Sequence, residues 1–396
     1  MNDHLHSRSR LRSGDWVKVR SREDILATLD ENGCLHGMPF MPEMLRYCGQ
    51  TLRVFKRAHK ACDTIHQSGN RKIDRTVLLE TRCDGSEHGA CEAACLLFWK
   101  EAWLEPAAHG VPTGLPRTEP APRRAQVCSV EKLMAATQRG SDPEKGPRYV
   151  CQATEFLNAT QPLSGYDPRQ LIEDFNSGNV DLATLFHGAV YRISNVIVRL
   201  CERWGRRLGL GDALARPLMA WYDGLQKALP NGVPFPRRKG TIPPGQPTPH
   251  LDIGQLGPGS WVRVKPYSEI LATLDSNNKN RGLYFDAEHV PYCNKEFPVR
   301  SLVHQIVDEC TGYMIRFKSP SIILENVFCQ GAHSDGRMFC PRAIYPYWRP
   351  VWLTPVDRTH AVEDAPAATC PPVTATATRP SQRVMWLQEG RDQRES

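Results

Sequence analysis

The sequence predicts an α+β chain in which two copies of one small β-rich module, each with a short helix, flank a helical middle region. Three observations carry this. The segment from Trp16 (WVKVRSREDILATLDENGCLHGMPFMPEMLRYC) aligns without a gap on the segment from Trp261 (WVRVKPYSEILATLDSNNKNRGLYFDAEHVPYC), with 15 identities in 33 positions. Apolar residues alternate in short runs on either side of turn residues in both segments, which is the period of strands. Between the two lies a stretch with the 3.6-residue apolar period of helices.

The first correspondence runs at an offset of 245 and extends to His59/His304, Asp63/Asp308 and Glu80/Glu325. Beyond Glu80 the loops differ in length. Cys83 meets Cys329 at an offset of 246, and Cys91, Trp99 and Trp103 meet Cys340, Trp348 and Trp352 at 249. The copies therefore cover 13–105 and 258–354. Modules of this size bury a modest core, which a metal would help to hold.

Each element follows from local chemistry. GDWVKV and GSWVRV open the copies as strands. Ser21, with Asp24 three residues on, is a capping-box-like start to the short helix EDILATLD. TLRVFKRA (51–58) and TVLLETR (76–82) are β-branched and apolar and read as strands, as do EFPVRSLV and SIILENVF in the second copy. LLFWKEAWL closes the first copy. Asp30 and Asp275 read as turn caps, and Glu80 and Glu325 as structural. The glycine–aspartate–tryptophan–valine opening with several short strands resembles small SH3-like barrels. The resemblance covers one strand and the turn before it, implies a fold, and fixes no function.

Residues 106–125 and 230–257 are proline-rich linkers or irregular wraps. In 126–229, SVEKLMAATQRG reads as a helix with a serine cap and a glycine stop. DPRQLIEDFNSG reads as a second, VDLATLFHGAVYRISNVIVRLCERWGRRLGL as a long third with basic residues near its carboxyl end, and ALARPLMAWYDGLQKAL as a fourth. Residues 355–396 read as a disordered tail.

Composition narrows the class. No run approaches the roughly 20 apolar residues of a membrane span. The polar, basic amino terminus is no export signal, so the cytoplasm is the expected compartment. In a reduced compartment, 14 cysteines point to metal ligands rather than disulfides. A net charge of +7 permits an acidic partner without requiring one.

Four positions hold cysteine or histidine in both copies: Cys48, His59, Cys83 and Cys91, then Cys293, His304, Cys329 and Cys340. Three thiolates and an imidazole are a tetrahedral zinc set, and soft sulfur selects zinc over magnesium or calcium. The expectation is two structural zinc ions per chain. His88, near Cys83, and His333, near Cys329, are candidates to replace His59 or His304, and Cys62, His66 and Cys95 are further candidates in the first copy. Packing is the competing role for the cysteines. A catalytic zinc on Cys48, Cys83 and Cys91 with an open position is the other arrangement weighed. The paired tryptophans read as core. The segment Arg342–Arg349, with Tyr345 and Tyr347, reads as a surface for a protein or nucleic-acid partner.

Phosphate-binding loops, dinucleotide fingerprints, the H-E-x-x-H zinc motif and the zinc deaminase pattern are all absent from the sequence. The expected function is a zinc-stabilised cytosolic binding or scaffold protein. The alternative is a metal-containing enzyme of a specialised bacterial biosynthetic pathway, with its site between the second copy and the helical region.

Overall fold

The computed structural model describes residues 11–107, 128–165, 167–210, 212–229 and 232–357. Most of the expected 106–125 linker and nearly all of the expected tail lie outside these residues.

The amino-terminal region builds one sheet. β1 (Trp16–Val19) is followed by α1 (Arg22–Leu26), the small strands β2 (Cys34–Leu35) and β3 (Met38–Pro39), and a 3₁₀ turn at Pro42–Tyr47. Then come β4 (Thr51–Arg57), β5 (Lys60–Cys62), β6 (Asn70–Lys72), β7 (Thr76–Arg82), β8 (Leu96–Lys100), a 3₁₀ turn at Glu101–Trp103, and β9 (Leu104–Pro106). The strands pair antiparallel in the order β8-β7-β4-β1-β9, a curled half-barrel. Ser21 caps α1 by accepting the Asp24 N–H at 3.1 Å, as the sequence predicts.

The middle region opens with α2 (Val130–Ala135), then β10 (Gln138–Asp142), β11 (Gly146–Tyr149) and β12 (Gln161–Pro162). Three helices follow: α3 (Arg169–Asn176), α4 (Leu182–Arg207) and α5 (Arg216–Lys227). The hairpin β10–β11 corrects the expected all-helical character. Its turn is made by Asp142, whose Oδ1 accepts the N–H groups of Glu144 and Lys145, and by Gly146 at φ +78°. α4 is capped by Asp181, which accepts the Thr184 N–H at 2.7 Å.

The carboxyl-terminal region has β13 (Trp261–Val264), α6 (Tyr267–Leu271), β14 (Lys279–Asn280), β15 (Leu283–Tyr284) and a 3₁₀ turn at Ala287–Tyr292. The long hairpin β16 (Glu296–Val307) and β17 (Met314–Leu324) comes next, then a 3₁₀ turn at Pro350–Trp352 and β18 (Leu353–Pro355). The order is β17-β16-β13-β18, a second antiparallel half-barrel. Val17 faces Leu52 and Pro106, and Val262 faces Phe297 and Pro355. The proline-rich segment before β13 lies against α6 and the turn after it: Thr241 and Ile242 donate to the carbonyls of Leu271 and Leu274.

Each sheet curls over its own core. Val17, Ile25, Phe40, Leu78, Trp99 and Trp103 fill the first, and Val262, Ile270, Phe285, Trp348 and Trp352 the second. All four tryptophans are fully buried, and the indole N–H groups of Trp103 and Trp352 donate to Thr28 and Thr273. Burial of such large side chains supplies most of the drive to fold. Among the described residues, no helix is long and apolar enough to cross a membrane.

Candidate metal centre

The site forms where the 3₁₀ turn after β3 meets the loop leaving β7. Glu43 sits in the first turn of that 3₁₀ segment. Cys83 follows the last residue of β7, and His88 lies in the loop to β8. The loop folds tightly on Gly85, at φ +70°, whose carbonyl accepts the N–H groups of His88 and Ala90. A β-carbon at this position would stand 2.1 Å from the Cys91 carbonyl oxygen, so glycine is required. The Gly85 N–H points at Cys83 Sγ at 3.4 Å.

The His88 ring is held at both nitrogens. Nδ1 lies 2.7 Å from Glu43 Oε1, and Nε2 lies 3.0 Å from the Val150 carbonyl oxygen. A carbonyl only accepts, so Nε2 carries a hydrogen and Nδ1 is left facing a carboxylate oxygen. Two lone pairs cannot face each other at that distance, so a positive species belongs between them, either a proton or a metal. Glu43 Oε1 also receives the Glu87 N–H at 3.4 Å and lies 3.7 Å from Cys83 Sγ. Glu43 Oε2 is buried with no hydrogen-bond partner.

Burial alone would push the Glu43 carboxyl up; the His88 bond and charge outweigh it and hold the group below its ordinary value. The Cys83 thiol is pushed up, first by burial and then by the charge of Glu43. The ligating atoms of Glu43, Cys83 and His88 lie within 4.8 Å of one another, the only such group of three or more among the described residues. A sulfur, an imidazole nitrogen and a carboxylate oxygen are zinc-type donors. The Nε2–Val150 contact is the outer hydrogen bond that fixes a ligating imidazole. For Nδ1 and Oε1 to share one tetrahedral zinc, their 2.7 Å separation must open to about 3.3 Å.

The other sequence-predicted residues stand apart from this group. Cys48 ends the 3₁₀ turn Pro42–Tyr47, and its thiol is raised by burial. His59 Nε2 lies 3.1 Å from Asp174 Oδ1, beside the buried Lys60–Asp174 pair. Cys91 Sγ accepts the Val307 N–H on β16 at 3.3 Å, and Cys340 Sγ accepts the Cys62 N–H on β5 at 3.1 Å. The two contacts are reciprocal, since each half lends a thiol to a strand of the other. Burial pushes the Cys340 thiol up, but hydrogen bonds from Cys62 and the Arg342 backbone, with the Arg342 charge, together hold it below its usual value.

Cys293 ends the 3₁₀ turn Ala287–Tyr292, its thiol pushed up to about 12 by burial. The His304 N–H donates to Glu92, and its Nδ1 is 3.6 Å from the same carboxylate. Cys329 is raised by burial and by Glu288. The His333 ring packs edge-on against Tyr191 at 5.1 Å, with Nδ1 buried and without a hydrogen bond.

The chain matches no family model, no curated protein and no solved structure. Glu43 corresponds to Glu288 at the offset of 245, and both are buried. Glu288, however, receives three donors: the N–H groups of His333 at 2.5 Å and Gln330 at 3.2 Å, and the Ser334 hydroxyl at 3.0 Å. At the offset that aligns Cys83 with Cys329, Ser334 stands where His88 stands. One carboxylate is thus sealed by hydrogen bonds, while the other keeps an unpaired oxygen beside a thiol and an imidazole.

Sequence reasoning passed over Glu43, although it is one of the identities between the two segments. The segment from Arg342 is largely internal. The Arg342 guanidinium donates to the Cys62 carbonyl and the Thr64 hydroxyl and lies 3.3 Å from Glu309. Tyr345 is buried under the guanidinium of Arg82, 3.9 Å from its ring centre.

Proposed function

We propose that this chain is a zinc-stapled cytosolic binding protein, made of two copies of one SH3-like module that hold a helical platform. The common sequence segments and the matching strand registers support the duplication. The curled antiparallel sheets support the SH3-like reading. The observation that carries the metal is the unpaired Glu43 Oε2 beside Cys83 and His88.

We assign one zinc per chain, held by Glu43, Cys83 and His88, because Glu288 is sealed by its own donors. Zinc there would clamp the β7–β8 loop to the 3₁₀ turn and act on stability, since Glu43 and His88 are nearly without solvent exposure. Elemental analysis of the purified protein tests this. One zinc per chain, lost in Cys83→Ser and kept in Cys329→Ser, is the expected result. A folded, metal-free wild type overturns the assignment.

The second reading is an enzyme with its site between the second copy and the helices. A cleft there, lined in part by Glu202, Arg237, Lys239, Asn278 and Tyr284, favours it. It stands second because Arg199 and Arg237 on its wall are engaged by Asp335.

A further inference from the structure

α4 carries apolar residues on both of its faces. Its core-facing side holds Tyr191 and Val198, packed in a small core with α5, together with Gly188, Ser194, Asn195 and Gly205. Its outward side carries Leu182, Phe186, Ile193, Ile197, Leu200 and Trp204, all exposed, Leu182 at 69% and Trp204 at 57%. These six recur at spacings of four, seven, four, three and four, so they form one stripe along a helix of 26 residues, about 39 Å long. They expose on the order of 700 Å², above the few hundred Å² that a monomer usually leaves contiguous and close to one side of a standard protein interface.

Close packing explains the inner face: a β-carbon on Gly188 would meet the Phe339 ring at 2.5 Å. Nothing in the core explains the outer one. Charge beside the stripe selects the occupant. Arg192 and Arg203 lie along one border and Arg207 at the edge of the stripe near its carboxyl end, while Arg199 and Arg206 turn further toward the core-facing side. Arg199 pairs with Asp335, whereas Arg192, Arg203, Arg206 and Arg207 make no ion pair among the described residues.

A second copy lying antiparallel would set this arginine border against itself, and a parallel one would bring Arg203 and Arg207 onto their counterparts. Both arrangements repel. A helix lying in a lipid surface is best served by cations along both borders of its apolar face, but the other border here carries Val190 and Cys201. We infer that α4 docks an acidic amphipathic helix of another protein, its apolar side on the stripe and its carboxylates along the arginine border. This inference rests on the binding-protein reading and names the partner's chemistry. It is independent of the metal, so zinc analysis and the following experiment fail separately.

The test uses the full chain and a synthetic labelled 28-residue helix with leucine at its core positions and glutamate at its flanks, beside a twin with lysine flanks. Fluorescence anisotropy is expected to give at least about tenfold tighter binding of the glutamate helix, weakened by salt. Ile193→Ser should weaken binding at least about tenfold, and Arg192→Glu with Arg203→Glu should reverse the preference between the twins. All three residues are exposed, and circular dichroism checks that the variants fold. Absence of binding, equal binding of the twins, or indifference to the arginine reversal overturns the inference. So does a dimer in light scattering that Ile193→Ser splits, or tighter binding to phosphatidylserine–phosphatidylcholine vesicles than to the glutamate helix.

Discussion

Replacing His88 with alanine separates the two halves of the molecule most sharply. The change removes the 2.7 Å contact to Glu43 and the 3.0 Å contact to Val150. Glu43 then keeps one backbone donor at 3.4 Å and a thiol at 3.7 Å, with Oε2 still unpaired. Stripping one partner from a buried charge costs about 3–5 kcal/mol. The matching change in the other half, Ser334→Ala, leaves Glu288 with the N–H groups of His333 and Gln330 and should cost about 1–2 kcal/mol. Zinc widens the gap. At a hundredfold excess over its Kd it adds about 2.7 kcal/mol to the wild type and nothing to His88→Ala. Urea unfolding followed by tryptophan fluorescence, with EDTA and with zinc, reads all of these. Equal losses in the two variants, or equal gains from zinc in wild type and His88→Ala, would mean that His88 neither holds the Glu43 charge nor binds zinc.

Three further outcomes follow from the same contacts. Glu43 is held below its ordinary value of 4.5, so its contribution is present above that pH and lost as pH falls through the depressed value; Glu43→Gln should flatten the acid limb of a stability–pH curve. The half-buried thiols of Cys95, Cys151 and Cys293 are pushed up to about 12, 11 and 12 by loss of solvent, so the folded chain holds protons that the unfolded chain gives up near 9. Stability should fall as pH rises from 8 to 10, read as a lower urea midpoint. Trp103→Phe and Trp352→Phe should each lose about 1 kcal/mol of hydrogen bonding beyond their packing loss, and the losses should match, because each indole N–H serves the same threonine of its own half.

Local chemistry made much of the fold readable. TVLLETR is rich in β-branched and apolar residues and forms β7 over the very residues expected. Ser21 and Ser129 act as the caps their positions imply. The hairpin at 138–149 was hidden because its glycines and Asp142 resemble a helix stop followed by a loop, and strand pairing is a non-local choice. The candidate site was half readable. Cys83 and His88 stood out, but Glu43 did not, since a lone glutamate has no spacing signature. Cys91 and Cys340 recur for a reason that a single chain hides: each accepts an N–H from the opposite half. Recurrence marked residues the halves need, without saying whether for a metal or for each other.

X-ray absorption at the zinc edge counts the sulfur atoms around the ion. A zinc on Glu43, Cys83 and His88 predicts one sulfur neighbour at about 2.3 Å and the remaining neighbours nitrogen or oxygen at about 2.0–2.1 Å. Three sulfur neighbours, the signature of Cys48, Cys83 and Cys91 meeting on one ion, would contradict it.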